Sequence, residues 1–385
     1  MTDAYSPPEQ FNVVIAGGGV AALEAALALR KLGGERIATT ILAPDPDFVY
    51  RPMTVREPFG YASARHYPLD RIAADIGAEL RSDSFKWLDA ESRSVHTELG
   101  AELRYDALLL ALGARQYRRY EHALTIDDAH LDELMHGLIQ DIEGGYVSKL
   151  AFVIPSGKAW ALPIYELALM ISERAYDMNV DVSITIATPE DSPLAIFGSS
   201  ASQGVGELLE HRGIQLITSA HCEVHEPGRI TIQPGSRELS VERIVALPEL
   251  RGPAAAGVPT GASGGFIPVD VHGNVRGLDR VYAAGDATDF AIKHGGVAAQ
   301  QADVAAQAIA ALAGVASAPG PFHPVIHGML LTGDKPLYLS AHVTGGHGSS
   351  SFIAETATWS PPAKIAARYL APYLVELDES AVSNA

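Results

Sequence analysis

The sequence predicts an α/β fold: two doubly wound parallel-sheet domains, the second inserted in the first, followed by a small C-terminal domain. Three observations predict it. The apolar run FNVVIAGGG stops at glycines and leads into a helical pattern, VAALEAALALRKLGG, and a second apolar run, ERIATTILAP. The same β–α–β rhythm restarts near residue 150. Near residue 278 the segment LDRVYAAGDAT, ahead of the helical GGVAAQQADVAAQAIAALAG, returns to the first pattern. Continuous apolar strands separated by helices are what a parallel sheet covered on both faces requires.

Residues 1–10 read as a polar tail. The strand 11–16, helix and second strand form the opening βαβ unit, and YDALLLALGA (105–114) is a further buried strand ending in Gly. Residues 116–149 read as a connector with one helix. The second unit follows as strand KLAFVIPSG, helix LPIYELALMISERAY, strand VDVSITIAT and helix ASQGVGELLEHRG. Two short strands, HCEVHE and RITIQPG, then VERIVALPEL complete it, and the Gly/Pro/Ala-rich 251–265 is a linker. The expected domains are 1–115 with 262–318, the inserted 116–261, and 319–385. The last holds a strand at PLYLSAHV and a helix over 362–374.

A length of 385 residues with 47% apolar content supports two or three cored domains. A formal charge of −18 disfavours nucleic acid, whose affinity rests on basic groups neutralising phosphates. The single cysteine, Cys222, excludes an intramolecular disulfide or dithiol centre. Neither a signal peptide nor an apolar run long enough to span a membrane is read, so the expectation is a cytoplasmic protein without an integral membrane segment.

The candidate site residues fall at the strand ends. Gly17-Gly18-Gly19-Val20-Ala21-Ala22 fits G-x-G-x-x-G/A between strand and helix, where glycines let backbone N–H groups and a positive helix end approach a pyrophosphate. The acid expected at the end of the second strand to hold a ribose is replaced by Ala43-Pro44; Asp45 is the nearest candidate, against a solvated turn. Arg51 can meet a phosphate or a substrate acid, or form a surface ion pair. Gly285-Asp286 follows a strand and places a carboxylate to bond a polyol. Lys293, His294, Gly295 and Gly296 open the next helix, whose N-terminus and lysine would face developing negative charge. His342 and His347 fit no common metal-ligand spacing, and no metal is expected.

Taken together, GGGVAALEAALAL, YDALLLALGA and VYAAGDAT, in this order around an inserted βαβ unit, resemble the FAD-dependent flavoprotein superfamily with two dinucleotide-binding, Rossmann-like domains (the pyridine nucleotide-disulfide oxidoreductase fold) over residues 11–310. The resemblance implies bound FAD. Gly17, Gly19 and Ala22 would face the pyrophosphate, Ala111 and Gly113 would sit near the dinucleotide at the domain crossover, and Asp286 would hold the ribitol. Where a nicotinamide-using relative has a second glycine fingerprint, this chain has Ile154-Pro155-Ser156-Gly157-Lys158-Ala159-Trp160, so a tight NAD(P)H site is not expected. The stretch is more similar to the sulfide:quinone oxidoreductase and flavocytochrome c sulfide dehydrogenase branch. That branch carries Cys-Pro-Pro-Gly-Pro-Tyr-Glu here; Tyr165-Glu166 match its end and Trp160 stands at its redox cysteine. The second cysteine's place falls near Leu337-Tyr338, again without a thiol. Trp160 is then a wall of the flavin site or a packing residue. Glu166 is a general base, a partner of Lys293, or a helix-start carboxylate.

The expected function is two-electron flavin chemistry with an unidentified small-molecule donor and an acceptor such as a quinone. An NAD(P)H:acceptor oxidoreductase with an atypical nucleotide site and a non-catalytic FAD-binding partner or sensor are the alternatives. The amphipathic tail is expected to pack on the protein or form a homodimer contact.

Overall fold

The computed structural model describes residues 10–60, 63–127, 130–261, 264–344 and 347–383. Two five-stranded, all-parallel sheets dominate it. The first runs Val281–Ala283, Ala107–Leu110, Phe11–Ala16, Ile37–Leu42, Glu79–Arg81. The second runs Leu124–Thr125, Arg243–Ala246, Lys149–Val153, Ser183–Ala187, Gln215–Ile217. In each, the opening strand of the βαβ unit is central, its successor lies on one side, and the strand that returns after a long excursion lies on the other. Each sheet also has a three-stranded antiparallel companion: 85–104 in the first domain, 221–240 in the second.

The helices are α1 (Val20–Gly33), α2 (Leu69–Ile76), α3 (Leu131–Glu143), α4 (Leu162–Asp177), α5 (Ser199–His211), α6 (Gly295–Leu312) and α7 (Leu370–Ser383). Alanines explain the close packing of α1 on α6. Ala21, Ala22, Ala25 and Ala28 of α1 and Ala298, Ala299, Ala302 and Ala305 of α6 belong to one core. Small side chains let two helices and the sheet approach closely, so van der Waals contact replaces bulk. The domains are joined by two crossing strands, Arg115–Tyr117 and Glu249–Arg251, paired antiparallel.

The C-terminal region contains the strands Val325–Leu330, Leu337–Thr344 and His347–Ala354, paired antiparallel, and α7. Among the described residues it forms no core of its own. Ile326, Leu330 and Leu339 join the core of the second domain, while Ile365, Leu370, Ala371 and Leu374 join that of the first. It therefore bridges the two.

The helix expected over 362–374 begins only at Leu370. Residues 364–369 run as a bent, non-helical strap, and several of their backbone donors find partners elsewhere. Ile365 N–H donates to the Tyr50 hydroxyl at 2.9 Å. The N–H groups of Arg368, Tyr369 and Leu370 donate to the Glu24 carboxylate of α1 at 2.8, 3.0 and 2.6 Å. Glu24 thus caps α7 from another helix, filling the role an N-cap side chain usually plays. Among the described residues, no helix is long and apolar enough to cross a membrane and no cluster of metal-ligating side chains forms. Gly345 and Gly346, and the side chain of His347, lie outside the described residues.

Candidate functional site

The site forms where the strands of the first sheet end. Gly17 N–H donates to Leu42 O at 2.8 Å, Ala111 N–H to Ala16 O at 2.8 Å, and Ala284 N–H to Leu110 O at 3.1 Å. Gly17 has φ +135, and a Cβ there would lie 2.2 Å from the Ala111 carbonyl oxygen, so only glycine fits. The structure therefore brings Gly17 and Ala111 together, with Gly113 (φ +69) at the turn beyond. Gly19 is the N-cap of α1. It carries no capping side chain, no acid occupies the first turn, and a Cβ there would meet open space. The first-turn N–H groups have no intrahelical acceptor. This is the geometry of an anion site at a helix N-terminus. Ala22 differs from the expectation: its side chain is fully buried against α6, so it serves helix packing rather than facing a phosphate.

The strand Val281–Ala283 delivers Gly285 and Asp286 into a tight turn. Gly285 (φ +76) would, with a Cβ, meet Ala21 of α1 at 3.2 Å and Ala298 of α6 at 3.3 Å. Both helix N-termini thus converge on this turn. Gln301 of α6 fixes it by accepting from Gly285 N–H at 2.8 Å.

Lys293 is buried and turns inward. Its Nζ donates to the carbonyl oxygens of Asp286 (3.1 Å) and Thr288 (2.5 Å) and lies 4.0 Å from the Phe266 ring centroid. Burial lowers its pKa to about 8, against the opposing pull of Asp286. It does not pair with Glu166. That carboxylate is taken by Lys364, whose ammonium sits 2.8 Å from Oε2 and also donates to Pro52 O at 2.8 Å, while Leu331 N–H donates to Glu166 Oε1 at 2.9 Å. The side chains of this pair are only 1% and 4% exposed. Burial pushes the carboxyl up and the ammonium down, and their mutual attraction opposes both shifts. One ion pair therefore ties α4, the C-terminal region and the 51–59 stretch.

Trp160 lies against the N-cap of α6: its ring is 4.5 Å from that of His294 and 5.9 Å from that of Phe197. His294 is buried, and desolvation lowers its pKa to about 3, so its imidazole is neutral. Nearby, His327 is 4.7 Å from Trp359, which meets Tyr338 edge-on at 5.4 Å. The strap passes over the same helix end. A Cβ on Gly295 would sit 3.1 Å from the Ile365 side chain, and one on Gly296 3.0 Å from the His294 ring. Asp45 and Arg51 are exposed, and neither side chain forms a hydrogen bond or ion pair among the described residues.

In the second domain the equivalent strand end is occupied differently. Glu190, just past the second strand, accepts from Tyr165 OH at 2.8 Å and Thr188 Oγ1 at 3.0 Å, and Tyr165 is fully buried. A Cβ on Gly157 would lie 2.8 Å from Glu249 Cγ. Cys222 is buried in an antiparallel strand, and desolvation raises its thiol to about 11.

Sequence reasoning missed Lys364, His327, Trp359, Tyr50, Glu24 and Glu190 as participants. Only Glu190 had a local signal, an acid two residues past a strand-end threonine in the position where a ribose-binding acid belongs.

No family model matches the chain. A sulfide-quinone reductase of Aquifex aeolicus is 22% identical over 256 residues, spanning 63% of this chain and 59% of that protein. An NADH dehydrogenase-like protein of Mycobacterium tuberculosis is 25% identical over 294 residues, 71% of this chain and 72% of the relative. The crystal structure of the sulfide:quinone oxidoreductase from Aquifex aeolicus superimposes with a TM-score of 0.78 at 19% identity, covering 90% of this chain and 87% of that one.

Proposed function

We propose that this chain, which has the two-dinucleotide-domain fold of the pyridine nucleotide-disulfide oxidoreductases, is an FAD-dependent oxidoreductase working without a redox-active disulfide. The observation that carries the reading is the first-domain strand-end site. Gly17 is pressed against the Ala111 carbonyl, open space lies beyond Gly19, and two uncapped helix N-termini meet at Gly285-Asp286. These residues fit a dinucleotide. The N–H groups of Gly18, Gly19 and the first turn of α1 would hold its pyrophosphate, and Asp286 its polyol. When bound, the flavin supplies reversible uptake and release of an electron pair.

The chain's own groups set the surroundings of that chemistry. The N-terminus of α6 contributes positive potential with no acid in its first turn to cancel it. Lys293, with a pKa near 8, places an ionisable amine beside Asp286 and steadies the turn through two carbonyls. Trp160 and the neutral His294 form an apolar wall that keeps water from the helix end. Trp160 stands where the resemblance implies a thiol, and the one cysteine is buried elsewhere with a raised pKa, so a persulfide relay within the chain has no nucleophile.

A nicotinamide donor is disfavoured by the second domain. Tyr165 fills the strand-end region and engages Glu190, which would otherwise face a ribose, and Pro163 lies in the first turn of α4. The test is anaerobic titration of the purified flavoprotein with NADH, NADPH and sulfide in turn, followed by dithionite. The expectation is bleaching by dithionite alone; rapid bleaching by NADH or NADPH would overturn this reading of the second domain, and bleaching by sulfide would overturn the assignment against sulfur chemistry.

A further inference from the structure

We propose that the exposed arginines on the two crossing strands form the docking surface for a small acidic electron-carrier protein that serves as electron donor. Arg115 and Arg251 stand directly opposite each other in the antiparallel pair Arg115–Tyr117 and Glu249–Arg251. Both are exposed. Like charges directly opposed across a ladder destabilise it. Arg251 has a weak counterion in Glu249 at 3.5 Å and lies 4.3 Å over the Tyr117 ring. Arg115 meets no acid among the described residues, nor does Arg119. Arg118 spends its guanidinium on the carbonyls of Tyr120, Glu121 and Ala123, which leaves its charge uncompensated. A chain with 46 acids and 28 bases thus gathers Arg115, Arg118, Arg119 and Arg251 here, with Glu249 and Glu223 as the nearby acids, at a cost to the ladder.

The place bears on electron supply. Arg115 comes two residues after Gly113, at the crossover beside the strand-end site. The other crossing strand is tied to the same site: Leu250 N–H donates to Lys158 O at 2.9 Å, and Lys158 Nζ donates to Asp289 O at 3.1 Å, just past Asp286. The surface is an open ladder with Tyr117 41% exposed in its middle. Arginine and tyrosine on an open face suit a protein partner, whose carboxylates would bridge the opposed guanidiniums bidentately. At physiological salt the screening length is about 8 Å, so at contact the local surplus outweighs the chain's distant negative charge. Each reduced carrier would give up one electron. Two successive dockings would supply the pair, taken up with one proton from water. This deepens the flavoenzyme reading and rests on it.

The test measures binding of the holoprotein to an acidic plant-type [2Fe–2S] ferredoxin by titration calorimetry at 20 and 150 mM salt. The wild type should bind, and more weakly at the higher salt. Arg115→Glu/Arg119→Glu should bind about tenfold more weakly or worse. Its melting temperature should not fall, because Glu at 115 faces Arg251 and turns a repulsion into an attraction. Arg115→Lys/Arg119→Lys should keep affinity within about threefold, since charge is retained. Absence of a complex at 20 mM salt, or affinity unchanged in the Glu variant, overturns the proposal. Purified protein that neither holds nor regains flavin yet gives the expected isotherms would sink the flavoenzyme reading and leave the docking surface standing.

Discussion

Replacing Lys364 by Met removes one half of the Glu166–Lys364 pair and leaves the carboxylate with only the Leu331 N–H. Breaking a buried pair in this way costs about 3–5 kcal/mol, mainly because an uncompensated charge stays out of water. The carboxyl has one escape, to take up a proton. For an ordinary Glu pKa of about 4.3, protonation at pH 7 costs about 2.7 units at roughly 1.4 kcal/mol each, or ~3.7 kcal/mol, which caps the loss. The sign follows from linkage. The lone buried carboxyl has a folded pKa above its unfolded value, so the folded state holds the extra proton and gains stability as pH falls. The deficit of Lys364→Met relative to wild type should shrink to about 1 kcal/mol at pH 5. Urea unfolding followed by tryptophan fluorescence and circular dichroism measures it, with Trp359 reporting on the strap. The double variant Glu166→Gln/Lys364→Met should regain most of the loss, since it buries no charge and Gln still accepts from Leu331. A deficit under about 1 kcal/mol at pH 7, or a double variant no more stable than the single one, would refute the reasoning.

Two further outcomes follow from the same geometry. Gly17→Ala should destabilise the fold by about 2–4 kcal/mol, because its Cβ would collide with the Ala111 carbonyl and φ +135 suits only glycine, whereas Gly19→Ala, facing open space, should cost at most ~1 kcal/mol yet weaken cofactor retention; chemical unfolding and flavin content after dialysis separate the two. Lys293 has a folded pKa of about 8, below its ordinary value, so burial of its charge costs stability at neutral pH, and that penalty is relieved as pH rises from about 8 toward 10.5; Lys293→Met should flatten this rise in a pH series of urea midpoints, and an identical slope in both proteins would contradict the buried ammonium.

Local signals made the first-domain site legible. The glycine fingerprint, the buried strand at 107–110 and the Gly285-Asp286 turn each follow a strand whose apolar pattern is continuous, and a parallel sheet places such strand ends side by side. Trp160, expected as a wall of the flavin site or a packing residue, lies beside the α6 N-cap, where it meets His294. What escaped was non-local. Glu166 and Lys364 lie 198 residues apart, and nothing near Glu166 distinguishes a partner at 293 from one at 364. The strap was read as helix because PPAKIAARYLAPYL has helical periodicity, but Glu24 and Tyr50 bind its N–H groups and keep residues 364–369 out of the helix. Ala22 matches the fingerprint in sequence, yet the third fingerprint position serves packing, which only the α1–α6 contact reveals. Charge opposition at Arg115 and Arg251, 136 residues apart, needed the register of the two strands.

The most direct measurement of the central claim is the visible absorption spectrum of the purified chain, before and after incubation with FAD and removal of unbound cofactor. The wild type should retain an oxidised-flavin spectrum at a stoichiometry near one per chain, and Gly19→Ala a much lower one. A folded wild-type protein that neither carries flavin nor retains added FAD would contradict that claim.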